Sequence, residues 1–276
     1  MVAGVAQSVE QRTENPRVPG SIPGPGTSIK SSLMLKRSYF LFLSLVFYLI
    51  FINNSFLWAE FEHCPPSREI LISVTYAKIY ENKGEIEKAL EYYNEALSIS
   101  REVKNKRWET FILTNMAKIY EQKEDLNKAL EYYKEALKAS IDEKDKAFIN
   151  SYIGEIYLKK NDYSKGIEYL KKGIEIGEKI KDFQVTGIGM IKLGRVYLNL
   201  KNFQEAETYL KEGLKRILET DEDIWKAIAY ENLGVLYLNL ENKELAKEYF
   251  VKSYKLYKSI GANSKAKGVL SLIQNL

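Results

Sequence analysis

One pattern is written five times between Leu71 and Tyr254, and it limits the chain more than any other feature. A small residue is followed three residues later by Tyr, nine later by a second small residue, four later by a bulky residue and three later by a small one. The copies are Ala77/Tyr80/Ala89/Tyr93/Ala96, Ala117/Tyr120/Ala129/Tyr133/Ala136, Gly154/Tyr157/Gly166/Leu170/Gly173, Gly194/Tyr197/Ala206/Leu210/Gly213 and Gly234/Tyr237/Ala246/Phe250/Ser253. A spacing of three, and then of four and three, places each set on one face of a helix. A short polar stretch separates the two faces: Asn82-Lys83-Gly84-Glu85, Lys123-Glu124-Asp125, Lys160-Asn161-Asp162, Lys201-Asn202 and Glu241-Asn242. Gly84, Asn161, Asn202 and Asn242 suit a left-handed residue that ends a helix. Each copy is therefore a helix–turn–helix unit, too small to bury a core alone. Stacking such units supplies the missing apolar burial, at roughly 25 cal/mol per Å².

These residues resemble the tetratricopeptide repeat, with Gly or Ala, Tyr, Ala, Tyr or Phe, and Ala at the same offsets. The resemblance spans residues 69–260 and implies an all-α, right-handed superhelical solenoid of five helix–turn–helix repeats. Two features depart from it. The copies start at positions 77, 117, 154, 194 and 234, so the spacings are 40, 37, 40 and 40, against roughly 34 in the usual unit. The Pro that usually closes each unit is absent from the repeat region. Charged stretches such as Glu102–Lys106 and Asp142–Lys146 stand in its place. The extra residues are expected to lengthen the second helix and the loop after it. Trp108 and Trp225, each nine residues before a first small mark, support the register and are read as packing into the junctions. Residues 261–276 read as a capping helix with apolar Ala266, Val269, Leu270, Leu272 and Ile273.

The N-terminus is read as two segments unrelated to the fold. Residues 1–33 are Pro- and Gly-rich and aperiodic. Gly20-Ser21-Ile22-Pro23 back-translates to the T-arm of a transfer RNA gene. Ala3-Gly4-Val5 and Gly24-Pro25-Gly26-Thr27 back-translate to complementary strands of an acceptor stem. The stretch is therefore expected to be a spurious translation, with the true start at Met34. Residues 34–59 read as a signal peptide: Lys36-Arg37, an uncharged apolar run from Tyr39 to Ile52, and a cleavage site after Ala59. That run has 14 residues, short of the roughly 20 needed to span a bilayer. A membrane anchor formed by residues 39–52 is the alternative, and the only membrane association expected. Residues 60–68 form a flexible segment, and the expected location is exported, periplasmic or envelope-associated.

Charge and chemistry exclude several functions. The formal net charge of the chain is +4. The first 33 residues contribute +1 through Arg12, Arg17 and Lys30 against Glu10 and Glu14, and Lys36-Arg37 contribute +2. The chain from Glu60 is close to neutral, which gives no general electrostatic case for nucleic acid. One His (His63) and one Cys (Cys64) supply no metal cluster and no triad within the repeats. The glycines of Lys172–Gly177 lie inside a repeat helix, so they read as packing residues rather than a phosphate loop. No catalytic, cofactor or metal site is expected, and the partner is a protein or peptide.

The resemblance implies that first helices line a concave partner-binding face. Carried onto this chain, its groove positions include Lys78, Lys118, Glu121, Leu158, Ile188, Ile191, Arg195, Leu198, Val235, Leu238 and Asn239. The Lys/Asn set with which some family members hold a C-terminal carboxylate is not matched. The groove reads as mixed polar at its N-terminal end and more apolar from Ile188 to Leu238. Two readings of those aliphatics stay open, partner anchors and packing between repeats. On the first, Lys118 and Arg195 orient a partner segment that Ile191, Leu198 and Leu238 anchor. The function implied is a non-catalytic adaptor of envelope protein assembly; the alternative is a peptide- or ligand-sensing regulatory module.

Overall fold

The computed structural model describes residues 68–276. The spurious-translation, signal-peptide and anchor readings, together with His63 and Cys64, lie outside them. Five helix pairs follow one another: α1 (Arg68–Asn82) with α2 (Ile86–Glu102), α3 (Lys106–Gln122) with α4 (Leu126–Ala139), α5 (Glu143–Lys159) with α6 (Tyr163–Lys179), α7 (Phe183–Asn199) with α8 (Phe203–Leu218), and α9 (Asp223–Asn239) with α10 (Lys243–Ser259). A single α11 (Asn263–Gln274) closes the array. No strand occurs among the described residues.

The long period has a simple origin, and it differs from the expected one. Most helices, first and second alike, are 17 residues long, and most links between them are three. Two such helices and two such links make a unit of 40. The extra residues lengthen the helices, not the loops; Asp142–Lys146 is largely helix, with α5 starting at Glu143. The one spacing of 37 arises because α4 has only 14 residues, about one turn fewer.

A typical three-residue link runs through a helix C-cap, a left-handed residue and the next N-cap. Left-handed φ values fall on Lys104, Glu124, Asn161, Lys181, Lys201 and Glu241, and on Gly84 and Gly261. Gly84 and Asn161 thus match the sequence reading, whereas Asn202 and Asn242 do not. Those two are N-caps instead, accepting hydrogen bonds from the backbone N–H groups of Glu205 and Leu245. Their left-handed neighbours, Lys201 and Glu241, tolerate the conformation because the link satisfies the orphan carbonyls. Asn202 N–H, for example, donates to Tyr197 O at 2.9 Å. Asn105, Asp125, Asp142, Asp162 and Asp182 cap in the same way. This closure stops most of the helices without Pro. Two junctions lack it: Ser140 leaves α4 in an extended conformation, and α8 leads into α9 through residues 219–222.

The repeated marks form the core. Ala89, Tyr93, Ala96, Ala129, Tyr133, Ala136, Leu170, Ala206, Leu210, Ala246 and Phe250 are completely buried. Small marks permit close helix crossings. A Cβ on Gly154 would lie 2.9 Å from Gly166 O, and one on Gly173 would lie 2.8 Å from Ala147 O. Gly173 and Gly177 accordingly pack inside α6. A further periodic element escaped the sequence reading. Each marked Tyr stacks on a second Tyr 12 residues later: Tyr80 on Tyr92, Tyr120 on Tyr132, Tyr157 on Tyr169, Tyr197 on Tyr209 and Tyr237 on Tyr249, with ring centroids 5.3–5.5 Å apart. Each pair joins the two helices of a repeat near their turn.

Candidate partner-binding face

The first helices α1, α3, α5, α7 and α9 are tied to one another by polar side chains that cross from repeat to repeat. Lys78 on α1 donates to Asn115 on α3 at 2.9 Å. Lys159 on α5 donates to Glu121 on α3 at 2.7 Å. Lys192 on α7 donates to Glu155 on α5 at 2.8 Å, and Arg195 reaches the same carboxylate at 3.4 Å. Gln184 at the start of α7 donates to Glu222, the N-cap of α9. One strip of the molecule therefore carries residues that differ between repeats.

The N-terminal part of this face is a charged and aromatic network. Glu81 accepts from Lys78 at 2.9 Å and from the Tyr93 hydroxyl at 3.1 Å. Glu121 holds the equivalent place in the second repeat, accepting from the Tyr133 hydroxyl at 3.0 Å. Burial, reinforced by these carboxylates, raises the Tyr93 and Tyr133 phenols far above the usual tyrosine range. Tyr133 stacks on Tyr152 at 5.4 Å. Two cations flank Tyr152, with Lys118 Nζ and Lys192 Nζ each 5.0 Å from its ring centroid. Burial lowers the Lys78 and Lys118 ammonium groups below the usual lysine range. Lys78 is partly compensated by Glu81, whereas Lys118 makes no ion pair among the described residues.

The C-terminal part behaves differently. Ile188, Ile191 and Leu198 are 5%, 1% and 7% exposed and belong to one core cluster with Leu210, Leu233 and Phe250. Ile191 packs where α7 meets Gly213 on α8. These three side chains are consumed by helix packing, so the role of surface anchor proposed for Ile191 and Leu198 is corrected. Val235 and Leu238 are partly buried against the same cluster, and Leu158 against the neighbouring one around Leu170 and Leu193. Asn239 is exposed, and its amide donates to its own helix at Val235 O. Arg195 remains 47% exposed.

The structure thus brings Lys78, Lys118, Glu121 and Arg195 onto one polar strip and withdraws Ile188, Ile191 and Leu198 from it. It also adds Asn115, Tyr152 and Lys192, which the sequence reading missed. A signal for them exists. Each lies one helical turn, three residues, before another residue of the strip: 115 before Lys118, 152 before Glu155 and 192 before Arg195.

Several solved structures share this fold. BtubC (BKLC) from P. vanneervenii is 19% identical, with a TM-score of 0.62 over 74% of this chain and 86% of that one. Aspartyl phosphate phosphatase F from Bacillus subtilis is 17% identical, with a TM-score of 0.66 over 74% of this chain and 55% of that one. A signal transduction ATPase with numerous domains and a tetratricopeptide repeat sensor, from Pyrococcus horikoshii, is 20% identical, with a TM-score of 0.63 over 84% of this chain and 37% of that one. The chain spans little more than half of the Bacillus protein and well under half of the Pyrococcus one. At such identities the likeness establishes the fold alone. No curated protein sequence matches. The model of the MalT-like TPR region matches residues 62–248, more than half of the chain and nearly all of its helix pairs, and the chain belongs to that family.

Proposed function

We propose that this chain is a non-catalytic adaptor that captures a segment of another protein along its first-helix face. One observation carries the reading. The residues that repeat are consumed in the core, while the residues that vary, among them Lys118, Tyr152, Glu155 and Arg195, gather on a single continuous strip. A tetratricopeptide repeat sensor in the Pyrococcus structure supports a recognition role for such an array. The sequence-based export reading adds a place, the cell envelope. Crosslinking followed by pull-down from the envelope fraction tests both parts. Recovery of a stable protein partner lost on exchange of Lys118 and Arg195 is the expected result. Recovery of the chain alone, or from the cytoplasm only, overturns the adaptor reading or the location, respectively. Intact-mass analysis of the natural protein tests the start at Met34 and the cleavage after Ala59.

A second reading is favoured by the two irregular junctions, at 140–142 and 219–222. Links without the left-handed closure divide the array into blocks of two repeats, two repeats, and one repeat with the cap. A regulatory module that changes superhelical pitch on binding a peptide would bend there. Ligand-dependent change in scattering-derived dimensions would select this reading over a static adaptor.

A further inference from the structure

The first-helix face holds a cation with no counter-ion. Lys78 pairs with Glu81, Lys159 with Glu121, and Lys192 and Arg195 with Glu155. Lys118, central to this row, has no carboxylate at ion-pair distance among the described residues. Its two acidic neighbours are already committed. Glu81 accepts from Lys78 and Tyr93, and Glu121 from Lys159 and Tyr133. Lys118 lies instead over the face of Tyr152, a ring already faced by a second cation, Lys192, at the same 5.0 Å. A partly desolvated ammonium without an anion is costly, and a ring quadrupole offsets only part of that cost.

Further along the strip, Arg195 touches Glu155 through one nitrogen at 3.4 Å and is 47% exposed. Its guanidinium keeps most of its donor fork open to a planar anion. Two cationic positions with unused capacity thus lie on alternate first helices, α3 and α7, with Tyr152 of α5 between them.

We propose that Lys118, Tyr152 and Arg195 form a recognition site for aspartate or glutamate side chains of a partner segment crossing the second to fourth repeats. The proposal rests on the reading of this face as the capture surface and specifies what it captures: an acidic segment. One carboxylate neutralises Lys118 in a partly desolvated setting, where a charge-assisted contact is strongest. A second engages the Arg195 fork. Tyr152 shields the space between them and offers its hydroxyl, which makes no hydrogen bond to the described residues. The carboxylates of Glu81, Glu121 and Glu155 line the same strip and repel a misplaced acidic segment, which favours one register.

The experiment uses the full chain and fluorescent peptides of about 12 residues with alternating Glu and Leu, read by anisotropy. A matched peptide carries Gln for Glu, and a single-stranded oligonucleotide of equal charge serves as a polyanion control. The Glu peptide is expected to bind about tenfold more tightly than the Gln peptide. Lys118→Gln and Arg195→Gln are each expected to weaken it several-fold, with the thermal midpoint unchanged or raised. Equal binding of the Glu and Gln peptides overturns the acidic preference and leaves segment capture standing. Glu-peptide binding indifferent to both substitutions places the site elsewhere and overturns this one. Equal binding of the oligonucleotide, with the same dependence on Lys118, reduces the site to a generic polyanion patch. Failure of every peptide removes the capture surface itself.

Discussion

The first helices of repeats one to three and the first helix of repeat four present opposite solutions to the same problem. In α1, α3 and α5 the side facing along the strip carries Lys78, Asn115, Lys118, Tyr152 and Glu155, held by hydrogen bonds and ring contacts. In α7 the run from Val185 to Leu198 is buried on nearly every side, Ile191 at 1% and Leu193 at 0% exposure. A helix that is apolar all round is a core helix. The hydrophobicity of Ile188, Ile191 and Leu198 therefore marks helix packing rather than an apolar groove. Of the two cations on this helix, Arg195 reaches the surface, whereas Lys192 is 5% exposed and pinned by Glu155 and two aromatic rings. The proposed recognition therefore rests on polarity along the strip rather than on greasiness.

The strongest way to break this contrast is to place a charge on each side of it. Ile191→Asp puts an unpaired carboxylate into a packed core and should cost about 3–5 kcal/mol. The expected result is a collapse of the thermal transition and loss of helicity. Leu238→Asp, on a partly buried side chain of α9, should cost distinctly less and leave the chain folded. Circular dichroism melts of the two variants check this. If Ile191→Asp melts like the parent protein, α7 is not the core helix described here.

How much of this was legible beforehand depends on which residues carry period. The five marks repeat, so the helix pairs, their register and their buried faces could be read directly. So could the helical setting of Gly173 and Gly177. The αL positions at Lys201 and Glu241 could not. There the link geometry dictates the conformation and overrides the residue preference that pointed to Asn202 and Asn242. Nor could the fate of Ile191 and Leu198. An aliphatic on a first helix looks the same whether it faces a partner or α8, and only the packed neighbours decide. Tyr152 and Lys192 were hidden for another reason. Their meaning comes largely from residues of the flanking repeats, 33–40 positions away.

A second test bears on the network of buried phenols and carboxylates. The phenols of Tyr93 and Tyr133 donate to Glu81 and Glu121, and that of Tyr257 donates to Glu231 at 2.7 Å. Burial and the facing carboxylate raise all three above the ordinary tyrosine range of about 10. The folded state thus holds these protons more tightly than the unfolded chain. Their stabilisation is complete below the unfolded pKa and is lost as pH rises past about 10. The tyrosinate absorbance of these three phenols should therefore appear in a second stage, together with unfolding. Replacing Tyr133 by Phe should remove one proton from the second stage. Simple one-stage titration of every tyrosine, with helicity intact, would contradict the network.

The smallest expected effect lies at the border of the two regions, at Lys192. Its ammonium is buried between Tyr152 and Trp225 and bonded to Glu155, yet Glu155 keeps Arg195 when Lys192 is gone. No carboxylate is orphaned, so the large penalty of a broken buried pair does not apply. Lys192→Met keeps the stem's packing and removes a desolvation cost, and the net change should stay within about 1 kcal/mol. Removing Glu155 instead separates the two roles. Lys192 then stands alone and buried, and Glu155→Gln should destabilise more than the Lys192→Met/Glu155→Gln pair. Thermal melts of the three variants supply the cycle. A coupling of that sign makes Lys192 a side chain whose charge the network requires Glu155 to hold. Simple additivity would make it a passive part of the α7 core, and the boundary between the polar strip and the core would lie one helix earlier.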